Sequence, residues 1–296
     1  MAMYRREFLK MAGIGGLFLV TGLGRSALAA GEKAAGADFT FVQLSDSHWG
    51  FSGPAANPEA ATTLKRAVAG VNALARQPDF VVFTGDLTHT TDDPQERRKR
   101  MREFQEIMSA LKVKDVKYLP GEHDASLDNG EAYKEFFGKT YYTFDYQGVH
   151  FIALDNVSDP TASLGEAQLQ WFAAELKKLD PKAPLVVLTH RPLFDLYPQW
   201  DWATRDGAKA VELLAPFTNA TVLYGHIHQE NHAMTGKTPH HAAKSLIFPL
   251  PAAGSVPKRA PIPWDPAEPF KGIGFRGVDS KAASTALTLT EYPLKA

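Results

Sequence analysis

The chain has 296 residues, 44% hydrophobic and 22% charged, with a formal net charge of −1 at pH 7. This balance suits one large domain or two small ones, and no basic bias points to nucleic acid as a partner. The absence of cysteine excludes disulfides, thiolate metal sites and cysteine nucleophiles; any metal must be held by His, Asp, Glu, Asn or backbone oxygen.

Residues 1–29 read as a targeting segment rather than part of the fold. Tyr4-Arg5-Arg6-Glu7-Phe8-Leu9-Lys10 matches the twin-arginine export motif, a glycine-rich apolar stretch follows, and Ala27-Leu28-Ala29 offers a cleavage site. The mature protein is expected to begin near Ala30 and to form one domain over 30–296. It is expected to be periplasmic or otherwise extracytoplasmic, delivered by the twin-arginine machinery. The apolar stretch is short and rich in glycine for a membrane span, so no stable membrane anchor is expected after cleavage. An uncleaved anchor is the other reading. Cleavage removes four basic residues and one acid, leaving a net charge of −4.

Residues 39–44 read as a buried strand, followed directly by Asp46 and His48. Residues 59–76 have helical spacing, with Leu64, Val68, Val71 and Leu74 on one side. A second strand at 80–83 ends at Gly85-Asp86, with His89 just beyond, either near a substrate or an ordinary loop histidine. Residues 94–111 read as a helix opening on proline, with Arg97-Arg98-Lys99-Arg100 on its solvated face. A third strand at 116–119 runs into Gly121-Glu122-His123-Asp124. Strands at 143–146 and 149–154 flank Gln147-Gly148, a hairpin turn, and His150 reads as structural. An amphipathic helix at 166–179 precedes a strand at 185–188 that ends at His190. The loop 191–207 carries Phe194, Tyr197, Trp200 and Trp202, either an aromatic rim for a flat ligand or a loop packed on its own aromatics. Arg191 could meet a phosphate or be structural. A helix at 208–214 and a strand at 221–224 lead to Gly225-His226-Ile227-His228. His232, His240 and His241 lie beyond the last motif, and the His240-His241 pair reads as solvated loop, with adventitious metal binding the other reading. A Pro- and Gly-rich loop at 249–277 includes Trp264, and 284–290 alternates as a half-buried strand.

Strands alternating with helices predict an α/β layered fold with parallel pairing. The motifs fall at or just past strand ends, where open α/β sheets gather ligands. Carboxylates and imidazoles are ligands that borderline divalent metals prefer.

Five motifs in this order resemble the calcineurin-like metallophosphoesterase family, whose pattern is D-x-H, G-D, G-N-H-[D/E], H, G-H-x-H. Phe151-Ile152-Ala153-Leu154-Asp155 and Gly165-Glu166-Ala167-Gln168-Leu169-Gln170-Trp171 are also similar to its cyclic-nucleotide phosphodiesterase-like branch, and the resemblance covers roughly residues 38–292. It implies a four-layer α/β/β/α sandwich and two metal ions (Fe, Mn or Zn). Asp46, His48, Asp86 and His228 would hold the first. Asp86 would bridge to the second, held also by Glu122, His190 and His226. The implied reaction is attack of a metal-bound hydroxide on a small-molecule phosphate mono- or diester. His123 would protonate the leaving group, and Asp124 would fix the His123 tautomer. Glu122 departs from the family's Asn: it offers a negative oxygen and no donor when ionised. It is expected to ligate metal while tempering ordinary phosphoester turnover. A second function class rests on it, a periplasmic metal-binding protein with weak or no hydrolysis.

Overall fold

Alternation along the strands decides which side chains face which layer. In β1 (Phe39–Leu44), Phe39 and Phe41 face one way and Val42 and Leu44 the other, as the two-residue strand period requires. The computed structural model describes residues 37–282 and 286–295; the targeting segment expected at 1–29 lies outside them. β1 pairs in parallel with β2 (Phe80–Thr84), which pairs in parallel with β3 (Val116–Leu119). On its other side β1 meets β10 (Gly274–Ser280) antiparallel, and β11 (Thr288–Pro293) closes this sheet. The second sheet runs β4 (Tyr142–Tyr146), β5 (Val149–Ala153), β6 (Leu185–Leu188), β7 (Ala220–Tyr224), β9 (Thr238–Ala242), β8 (Asn231–Thr235). Its strands β5, β6, β7 and β9 are parallel.

Three apolar clusters make four layers. Phe39, Phe41 and Phe80 meet Phe151, Val186, Leu188 and Leu223 between the sheets. Phe41 stacks on Phe80 at 4.9 Å and meets Phe151 edge-on at 5.7 Å. On the outer face of the first sheet, Val42, Leu44, Val81 and Phe83 pack under α1 (Ala60–Asn72) and α2 (Pro94–Met108). Asp93 caps α2 by accepting from the Gln95 and Glu96 backbone. On the outer face of the second sheet, Ile152, Val187 and Val222 pack under α5 (Gly165–Leu176) and α6 (Gly207–Leu214). The expected α/β/β/α sandwich is therefore present.

Several local expectations change. The third motif itself forms a short helix, α3 (Glu122–Ala125), and a second, α4 (Glu131–Phe137), follows it. His240 and His241 are not in a solvated loop but in β9, and His240 is fully buried. The last strand begins at Thr288, later than the alternation suggested. Arg97 does not lie on a solvated face. It is buried against Asp128 at 2.6 Å and donates to the Thr91 carbonyl at 3.0 Å. Trp200 and Trp202 are buried and pack edge to face at 5.2 Å, so that loop collapses on its own aromatics.

Candidate metal centre

The carboxyl ends of β1, β2, β3, β6 and β7 carry the motif residues into one cluster. The motifs after β1, β2 and β7 leave their strands through strained backbone. Asp46, His48, Asp86, His226 and His228 all adopt positive φ, five of the nine non-glycine residues that do so among the described residues. Backbone bonds lock the turns together: Asp46 N–H donates to the Gly85 carbonyl at 3.0 Å and His48 N–H to the Asp86 carbonyl at 2.9 Å. Two motif glycines make room for the ligands. A Cβ on Gly121 would lie 2.0 Å from Asp86 Oδ1, and one on Gly225 would lie 2.8 Å from Asp46 Oδ2.

Four overlapping groups of ligand atoms result among the described residues. Asp46, His48, Asp86 and His228 form one and Glu122, His190 and His226 a second; His123 joins the other two, one with His48 and His89 and one with Asp86 and Glu122. Asp86 Oδ2 lies 3.3 Å from His48 Nε2 and 3.4 Å from His190 Nε2, so it stands between the first two groups. Its other oxygen accepts the His123 backbone N–H at 2.9 Å. Asp46 Oδ1 lies 3.5 Å from His228 Nε2.

The imidazole tautomers are set from outside the cluster. His190 Nδ1 donates to the Thr84 carbonyl at 2.7 Å, His228 Nδ1 to Phe248 O at 2.9 Å, and His226 Nε2 to Asp201 O at 3.0 Å. His48 Nδ1 meets His89 Nδ1 at 3.3 Å. In His190 and His226 the remaining nitrogen is left without a hydrogen-bond partner, the arrangement that outer hydrogen bonds impose on metal-ligating histidines; His48 Nε2 and His228 Nε2 face each other at 3.1 Å. Glu122 Oε2, His190 Nε2 and His226 Nδ1 are buried without a hydrogen-bond partner. Yet the Glu122 oxygens lie 2.8 Å from each of those nitrogens. The atoms converge on a point instead of pairing, and a cation is the group that such a donor set fits.

The charges agree. Burial pushes the Asp46 carboxyl up to about 8 against the pull of His190. Asp86 stays below its ordinary range: burial and Glu122 push it up, but His190, His123 and His48 outweigh them. Burial holds His48 well below its usual value and His228 down to about 3, keeping both neutral, the ligating form. His190 is raised because Asp86 and Glu122 outweigh its burial.

Asp124 does not take the role expected of it. It is buried, and its carboxylate accepts from Leu87 N, Thr88 N, Thr88 Oγ1 and Gly121 N, all between 2.8 and 2.9 Å. It clamps the second motif to the third. His123 Nδ1 instead accepts the Thr90 backbone N–H at 3.2 Å, which leaves the proton of the neutral ring on Nε2. The Thr90 loop is held by Arg100, which donates to the His89 and Thr90 carbonyls at 2.9 and 3.2 Å. Sequence reading assigned Arg100 to solvent; an arginine opposite a loop of unpaired carbonyls gives no local sequence signal. His89 stacks on His123 with ring centroids 4.8 Å apart and lines the cavity, so it belongs to the site.

Arg191 is structural. It is buried and donates to the Asp201 and Ala203 carbonyls, fixing the turn whose Asp201 carbonyl holds His226. Gln168 donates to the Asp155 carbonyl at 2.6 Å, so the two further family-like stretches serve to join α5 to β5. Trp264 lines a separate cavity of about 440 Å³ with Ile262 and Asn57.

The profile described as calcineurin-like phosphoesterase matches residues 39–230. A Rhodococcus erythropolis protein named "probable cyclic nucleotide phosphodiesterase" is 28% identical over 70% of this chain and 70% of its own length. The mouse serine/threonine-protein phosphatase CPPED1 is 30% identical over 44% of this chain; the match spans 45% of that protein, less than half its length. Among solved structures, a dimetal phosphatase from Danio rerio superposes with a TM-score of 0.60 at 14% identity, covering 86% of this chain and 95% of that one.

Proposed function

The chain is a metal-dependent phosphoester hydrolase of the calcineurin-like phosphoesterase family, and from that premise we propose an exported enzyme that uses two metal ions on small phosphate mono- or diesters. The observation that carries this reading is the set of three imidazoles, His190, His226 and His228, whose outer nitrogens are each held by a backbone carbonyl so that the inner nitrogens turn toward the cluster of Asp46, Asp86 and Glu122. Asp46, His48, Asp86 and His228 would hold one ion. Glu122, His190 and His226 would hold the other, with Asp86 shared. Two such ions would supply a nucleophile from water at neutral pH and offset charge on the phosphoryl oxygens.

The chain's own residues do the rest. His123 keeps its proton on Nε2 because Thr90 N–H occupies Nδ1. That Nε2–H can donate a hydrogen bond to the leaving oxygen or a phosphoryl oxygen and offset the charge that develops there. His89 stacks on the His123 ring and limits its rotation. The cavity over the cluster holds about 160 Å³, below the roughly 300 Å³ at which drug-sized pockets begin. It fits a phosphate and its nearest substituent, with a larger alcohol group left outside. The metal-binding alternative gains nothing from this arrangement, since Glu122 lies within ligand range of both histidines and His123 keeps an Nε2–H donor.

Bis(4-nitrophenyl) phosphate and 4-nitrophenyl phosphate, with Mn, Fe or Zn supplied, test the reading. Hydrolysis of at least one, abolished in Asp86→Ala, is expected; no turnover with any metal would overturn it. Export rests on the Tyr4–Lys10 motif. N-terminal sequencing of the secreted protein should begin near Ala30, and a full-length cytoplasmic product would refute this.

A further inference from the structure

Glu122 places a third carboxylate in the cluster beside Asp46 and Asp86. An anionic phosphate approaching it meets one more negative charge than an amide at that position would present. The cavity wall contains one compensating cation. Arg259 is the only Lys or Arg among the residues that line the cavity. It is half-buried, and no ion pair or hydrogen bond of its side chain exists among the described residues. The neighbouring arginines are engaged: Arg100 on loop carbonyls and Glu96, Arg191 on Asp201 and Ala203.

Arg259 sits in a closed loop tied to the metal centre. Ile262 N–H donates to Pro249 O at 3.0 Å and joins the loop's ends, as in a compact surface loop. The loop's first strand is fastened to the last motif. His228 donates to Phe248 O, and Gln229, the next residue, donates to the Leu250 and Pro251 carbonyls at 3.3 and 2.9 Å. The base of the loop that carries Arg259 is thus fastened to His228 and Gln229. A half-buried guanidinium with free donors, held over a cleft, suits the oxygens of a phosphoryl group.

We propose that Arg259 anchors the substrate's phosphoryl group, restoring the positive charge that Glu122 removes. This rests on the hydrolase reading above. It makes the 249–262 loop a specificity element for anionic substrates.

The test uses Mn-loaded wild type, Arg259→Ala and Arg259→Lys, with inorganic phosphate as the probe in calorimetric titration and bis(4-nitrophenyl) phosphate as substrate. Arg259→Ala should weaken phosphate binding about tenfold, equivalent to about 1.4 kcal/mol, with KM raised by a similar factor and kcat nearly unchanged. Arg259→Lys should recover part of the loss, and metal content and melting temperature should match wild type. A loss of affinity below about threefold (~0.7 kcal/mol), loss of metal from the alanine variant, or a wild type that binds no phosphate would overturn the proposal. Weakened phosphate binding in a protein that hydrolyses nothing would support the anchor and refute the hydrolase reading. Unchanged KM beside intact turnover would do the reverse.

Discussion

Asp124 shows how far a residue's role depends on what surrounds it. Next to a histidine in sequence, it reads as that histidine's partner. In the fold its four hydrogen bonds all go to the Leu87–Thr88 turn and Gly121. Asp124→Asn replaces one acceptor oxygen by an amide that must face backbone donors. A buried donor left unpaired costs about 1–3 kcal/mol, so a clear drop in melting temperature is expected, together with a fall in kcat as the Asp86 turn loosens. An unchanged melting temperature would show that the clamp contributes nothing. Glu122 teaches the opposite lesson. Its departure from the family pattern was visible in the sequence, but its reach to both His190 and His226 was not. Reach depends on α3, a four-residue helix too short to register as a period.

At the scale of elements, strands were the most legible part because their apolar runs end abruptly at motif residues. The parallel pairs β1–β2–β3 and β5–β6–β7 follow from those runs. The β8–β9 hairpin was not legible: its residues are polar, and it is stabilised by pairing with β7 and not by a periodic apolar face. Its histidines have a consequence. Burial pushes His240 down to about 4, and burial followed by His232 does the same for His241. Folded, both stay neutral below pH 6.5 while the unfolded chain takes up protons, so their stabilising contribution is complete above about pH 6.5 and lost as pH falls toward 4. Protection factors of the β9 amides, corrected for intrinsic exchange, should therefore fall across that window. In His240→Phe the fall should be blunted; an identical pH profile in the variant would contradict the assignment. Arg97 and Arg100 mark the limit of helix-face reasoning. Each stem lies along α2 as expected, but each guanidinium reaches back to loop carbonyls.

At the scale of the whole molecule, two sheets packed through one aromatic layer bring chain segments about 180 residues apart into contact, as where His226 N–H donates to Asp46. Sequence order and motif spacing made the convergence of ligands an expectation. They could not supply the outer hydrogen bonds that set each ring, because those come from the Thr84, Asp201 and Phe248 carbonyls, which carry no residue-type signal. Neither could they place Arg259, whose loop is closed only by tertiary bonds. The central claim is that Glu122 completes a second metal position with His190 and His226. Metal content per chain after reconstitution and gel filtration tests it most directly. Two ions are expected in the wild type and one in Glu122→Ala, with the Asp46, His48, Asp86 and His228 group still filled. Equal stoichiometry in the two proteins would contradict it.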